Sequence, residues 1–103
     1  MEKWADYAIT GVKHEFRHGH GAIIEVESRA DNGNALASPE RVARLRVVNA
    51  IRRGVTFVTA YRNGDKWERG ADVRVIEIHG EYFLRTDRDR IRADNLGELP
   101  ELP

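Results

Sequence analysis

The chain has no cysteine. A disulfide framework and thiolate chemistry are therefore both excluded. It also has no net charge, because seventeen basic side chains meet seventeen acidic ones. No long-range field then draws the molecule onto nucleic acid or anionic lipid, and any electrostatic function has to be local. There is no apolar run of membrane length and no signal-peptide core, which leaves the expectation of a soluble cytoplasmic protein with no membrane partner. Internal repeats and low-complexity linkers are lacking as well. So are a phosphate-cradling glycine loop, a dinucleotide fingerprint and a serine–histidine–aspartate arrangement, so no cofactor is implied.

What is present fits one compact domain. A chain of 103 residues buries roughly two-thirds of its unfolded surface, enough for a single modest core. The domain is expected to span residues 1–103, with flexible ends near 1–5 and 98–103. Its organising stretch runs from Ser38 to Tyr61. Ser38-Pro39-Glu40 predicts a helix start, since the serine hydroxyl can accept an orphan N–H and proline already holds helical φ. Arg52 and Arg53 then suit the negative end of the dipole, and Gly54 the left-handed stop. Val42, Ala43, Leu45, Val47, Val48, Ala50 and Ile51 form a wide apolar arc broken by Arg44, with Arg46, Asn49 and Arg53 on the wettest side. Val55 to Tyr61 follows as an interior strand, β-branched and aromatic on both faces.

Around this stretch, Tyr7 to Lys13 predicts a first strand, with Gly11 marking a bulge or a close backbone approach. Ala22 to Glu27 predicts a second, with Ile24 and Val26 inward, and Asp31-Asn32-Gly33-Asn34 a mobile loop. Asn63-Gly64 is a type I′ hairpin signal, followed by a short strand through Trp67 that breaks at Arg69-Gly70-Ala71. Asp72 to Ile78 and Tyr82 to Thr86 supply the last strands around a His79-Gly80 turn. The expected class is α+β: one helix packed on a small, mainly antiparallel sheet, in the order ββαβββ(β).

Thr59-Ala60-Tyr61, Lys66-Trp67, Gly70-Ala71, Arg85-Thr86-Asp87 and Ala93 to Pro100 give the chain its resemblance to a small bacterial and phage family, domain of unknown function 3892. The resemblance spans Tyr7 to Pro100. It implies one domain and carries over no catalytic residue.

Four groups of residues invite a functional reading. His14-Glu15-Phe16-Arg17-His18 spells the zincin motif, which works when residues four apart on a helix share one metal. Here it runs from a strand into a glycine-rich turn, so neither a metal-dependent hydrolase nor metal binding by His14, His18 and His20 is the preferred reading. Arg41, Arg44, Arg52 and Arg53 could meet phosphate with forked donors and bind nucleic acid. Their spread around the helix instead suits a salt-bridged face, with Glu25, Glu27 or Asp72 as partners. Trp67, Tyr61 and Tyr82 could stack bases, although core or cross-strand packing explains such residues better. Arg85, Thr86, Asp87, Asp94 and Asn95 would converge if the C-terminal segment folds back beside the last strand, and could hold a small ligand.

The expectation is thus a non-enzymatic binding or regulatory module, with an unknown protein partner or small ligand and with self-association through a sheet edge conceivable. Nucleic-acid binding is the alternative.

Overall fold

The computed structural model describes residues 3–17 and 20–103, with the side chains of residues 16, 17, 20 and 21 outside the description. Its elements are β1 (Tyr7–Arg17), β2 (His20–Ala30), β3 (Glu40–Ala43), α1 (Arg44–Arg52), β4 (Phe57–Asn63), β5 (Lys66–Asp72), β6 (Arg74–Ile78) and β7 (Glu81–Arg85). The fold is α+β, one helix with a mainly antiparallel sheet, as the sequence leads one to expect. Five strands form one sheet in the order β3-β2-β1-β4-β5, while β6 and β7 make a separate hairpin. The last strands therefore do not extend a single meander, and the larger sheet stays open, with β3 and β5 at its edges. β1 and β4 run parallel over Tyr7–Ile9 and Phe57–Thr59.

The helix begins later than the Ser38-Pro39 signal suggests. Glu40 to Ala43 pair with β2 instead, Val42 opposite Val26 and Ala43 opposite Glu25. Tertiary pairing wins here because Val42 packs on the core and a proline just before an edge strand forfeits no ladder hydrogen bond. That leaves a helix of 9 residues, too short to persist alone. Val47 and Val48, both 0% exposed, hold it, each stabilising it by roughly 1.5–3 kcal/mol.

Two register shifts shape the β1–β2 ladder, at Ile9/Gly11 and at Lys13/His14. The first confirms the break at Gly11, where a Cβ would meet Leu102 Cδ2 at 2.7 Å. The second makes Ile24 the extra residue, because Lys13 faces Glu25 and His14 faces Ile23. Ile23 and Val26 are consequently the inward pair and Ile24 is exposed, a bulge that simple alternation could not reveal.

β4 is the interior strand foreseen but starts two residues later than expected, with Phe57 to Ala60 buried on both faces and Tyr61 to Asn63 exposed. Phe57 joins Ile9, Val12, Ile23, Val26, Val47, Val48, Val73, Leu84 and Leu96 in the main core under α1 and the β6–β7 hairpin. Val58 and Ala60 join Ala5 and Ala8 in a smaller core on the other face, closed by Trp4, Leu36 and Trp67.

β5 does not stop at Arg69 but runs to Asp72. Gly70 allows this, since a Cβ there would lie 2.2 Å from Thr59 Oγ1. The hairpin turn sits one residue later than expected: Asn63 pairs with Lys66, so Gly64-Asp65 is the loop, and only Gly64 of the two has positive φ. The double positive φ of a type I′ turn occurs at His79-Gly80 instead. The Asp31 region is tied down: the Asp31 carboxylate, 4% exposed, accepts from Trp4 N at 2.7 Å and Gly33 N at 2.8 Å.

Candidate functional site

Arg46 and Asn49 on α1 and Arg53, which caps its C-terminus, recur at i, i+3 and i+7 and so share one side. That side borders a groove of about 330 Å³ whose other walls come from Ser28, Glu40, Val42, Ala50, Val55, Tyr7 and Phe57. Its apolar wall is dictated by the parallel pairing of β1 with β4, which sets Tyr7 beside Phe57. Their rings stack with centroids 5.2 Å apart and planes at 24°. Phe57 is buried in the core and Tyr7 exposed, so the pair presents aromatic surface to a ligand without being able to collapse into the core.

Electrostatically the groove differs from the rest of the surface. Most guanidinium groups are engaged: Arg41 with Glu25 at 2.7 Å, Arg69 with Asp72 at 2.6 Å, Arg92 with Glu81 at 2.6 Å, and Arg52 over the Tyr82 ring at 4.4 Å. The Arg46 and Arg53 side chains have no hydrogen bond or ion pair to any other described residue. Arg46, Arg53 and the Asn49 amide therefore stand as forked and paired donors beside a planar aromatic wall, with the Glu40 carboxylate as an acceptor at the β3 end.

The group Arg85, Thr86, Asp87, Asp94 and Asn95 does come together, because the C-terminal segment folds back along β7. Thr86 N donates to Asn95 O at 3.1 Å and Asn95 N to Leu84 O at 2.8 Å. Its charged side chains, however, are committed to the fold. Arg85, 3% exposed, grips Asp87 through both carboxylate oxygens at 2.6 and 2.8 Å and donates to Ala93 O at 2.9 Å. The hydrogen bond from Arg85 holds the Asp87 carboxyl below the usual aspartate range, and Asp87 in turn raises the Arg85 guanidinium. Asp94 accepts from Leu84 N at 2.8 Å and from Arg44 at 2.7 and 2.9 Å, while Arg44 also donates to Tyr82 O. The cluster is a latch between α1, β7 and the C-terminal segment.

The four arginines read as a phosphate-binding set are not brought to one face. Arg41 lies on β3, Arg44 on Asp94, Arg52 on Tyr82, and only Arg53 enters the groove. Of the aromatic candidates, Trp67 closes the smaller core with Arg29 and Arg62 at 4.9 and 4.7 Å from its ring, Tyr82 packs on the main core, and Tyr61 is exposed. His14 meets Glu101, whereas His18 and the side chain of His20 lie outside the described residues. Among the described residues no group of three or more His, Cys, Asp and Glu stands close enough to hold a metal ion.

A family model described as a protein of unknown function, DUF3892, matches residues 8–100. The chain belongs to the DUF3892 family. No curated protein and no solved structure matches it. The residues that carry the resemblance to DUF3892 prove to be packing and latching residues in this member: Thr59 against Gly70, Arg85 on Asp87, Asn95 on β7. The groove of this DUF3892 domain was visible in the sequence only as the wet side of a helix. Nothing local signalled that Tyr7, fifty residues upstream of Phe57 by numbering, would lie across from it.

Proposed function

We propose that this domain is a small non-enzymatic binding module that takes a compact anionic ligand with a planar body in the groove between α1 and the β1–β4 pair. The observation that carries the reading is the contrast in arginine use. Five described guanidinium groups are committed to carboxylates; of those without such a partner, Arg46 and Arg53 line the groove beside an aromatic wall, while Arg74 and Arg88 lie outside it. The volume lies at the small end of ligand sites. It suits a ligand that gives its anionic group to the two arginines, its ring to Tyr7 and a donor to Glu40. A nucleoside monophosphate has all three features.

Calorimetric titration with adenosine and guanosine monophosphate is expected to give saturable heat, lost by roughly tenfold or more in affinity in Arg46→Ala or Arg53→Ala. A ten-base single strand belongs in the same series. Binding of the strand alone, with a steep salt dependence, would transfer the reading to nucleic acid. No heat from either ligand would sink the groove as a site.

A further inference from the structure

The inner strand β1 is paired with β4 only over Tyr7–Ile9. From Thr10 onward that edge is free of strands, and among the described residues it is covered by residues 100–102. Val12 N donates to Pro100 O at 3.0 Å and Leu102 N to Val12 O at 2.8 Å, a short parallel pairing centred on Glu101. Two side-chain features add selectivity. The Glu101 carboxylate accepts from His14 N at 2.7 Å and lies 2.6 Å from His14 Nδ1, and Leu102 occupies the space a Cβ on Gly11 would need. The bulge at Gly11 thus makes a slot for an extended acidic-Leu pair.

The chain before Gly97 is anchored apart from the slot. Leu96 is buried at 4% and Asn95 is fixed to β7, so everything up to residue 96 is anchored without residues 100–102. Gly97, with φ +80, sits between the anchor and the slot. Opening therefore costs the few peripheral bonds named above and the packing of half-buried Leu99 on the main core, a local rather than a global unfolding. Residues 97–99, which join the anchor to the slot-binding residues, can span about 10 Å when extended.

We propose that this slot receives the same segment from a second copy of the chain, so that two copies pair by exchanging residues 98–102. This chain's own segment is the one sequence shown to fit, and an exchanged pair rebuilds every bond of the closed form. The balance is then set by concentration against the effective concentration of the tethered segment.

Two full-length variants test this. A donor, Gly11→Val, fills its own slot and frees its segment. An acceptor, Glu101→Ala with Leu102→Ala, keeps its slot and disables its segment. Sedimentation at a few hundred micromolar is expected to show a mixed dimer when the two are combined and monomers for each alone, with circular dichroism confirming that both are folded. His14→Ala serves as the donor if Gly11→Val does not fold, since it removes the imidazole contact with Glu101 and leaves only the backbone one. Monomers in the mixture, or dimers equally abundant for the acceptor alone, would overturn the exchange. The outcome does not touch Arg46 or Arg53, so it stands apart from the ligand groove.

Discussion

Asp94 shows how one side chain decides where a segment lies. Its carboxylate is 4% exposed and receives three hydrogen bonds, two from Arg44 and one from Leu84 N. Asp94→Ala leaves the Arg44 guanidinium, a quarter exposed, facing an empty site. The expected loss is about 3 kcal/mol, because partial exposure lets water take over some of the contacts. Urea unfolding measures it, and a loss below about 1 kcal/mol would mean that the latch contributes little. The role of Asp94 was partly legible: it stood among residues expected to converge, as they do. What the residue types could not show is that an arginine fifty positions earlier, in α1, would complete the set and hold the Asp94 carboxylate.

At the scale of elements, the C-terminal segment is held by carboxylates with a defined acid response. Hydrogen bonding from Arg85 lowers Asp87, and hydrogen bonding from His14, with Lys13 nearby, lowers Glu101. Ordinary values are 3.8 and 4.5. A carboxyl whose folded value is depressed stabilises the fold above its unfolded value and loses that contribution as pH falls through the folded one. Thermal midpoints should accordingly stay level from neutral pH down to about 5 and then fall. In Asp87→Asn with Glu101→Gln the fall should be shallower, and an unchanged acid limb would show that these two carboxylates contribute nothing measurable to holding the segment. The same scale explains the misplaced helix start. Ser38-Pro39-Glu40 is a sound local signal, but it also suits the entry to an edge strand, and pairing with β2 is the stronger attraction.

For the whole molecule, burial is concentrated on β1 and β4, which carry one core on each face. Amide exchange should therefore be slowest at Ile9, Val58 and Ala60, whose side chains are almost wholly buried, and fastest among bonded groups at Leu102 N. The intermediate class is α1, held on one side only. Should Leu102 N exchange as slowly as Val58 N, residues 100–102 would be part of the cooperative core and exchange between copies would require global unfolding. Among the described residues no helix is long and apolar enough to cross a membrane.

Local chemistry by itself determined the α+β class, the interior character of β4, the break at Gly11, the turn at His79-Gly80 and the wet side of the helix, because each depends on residues within a few positions of one another. Tertiary structure decided the rest: that Glu40 to Ala43 extend a sheet, that Ile24 bulges outward, and that the last hairpin stands apart. It also determined which arginines are spent and which stay free. Such outcomes depend on contacts between residues distant in the chain, where a stacked ring, a buried carboxylate or a neighbouring strand outweighs the propensity of any short stretch.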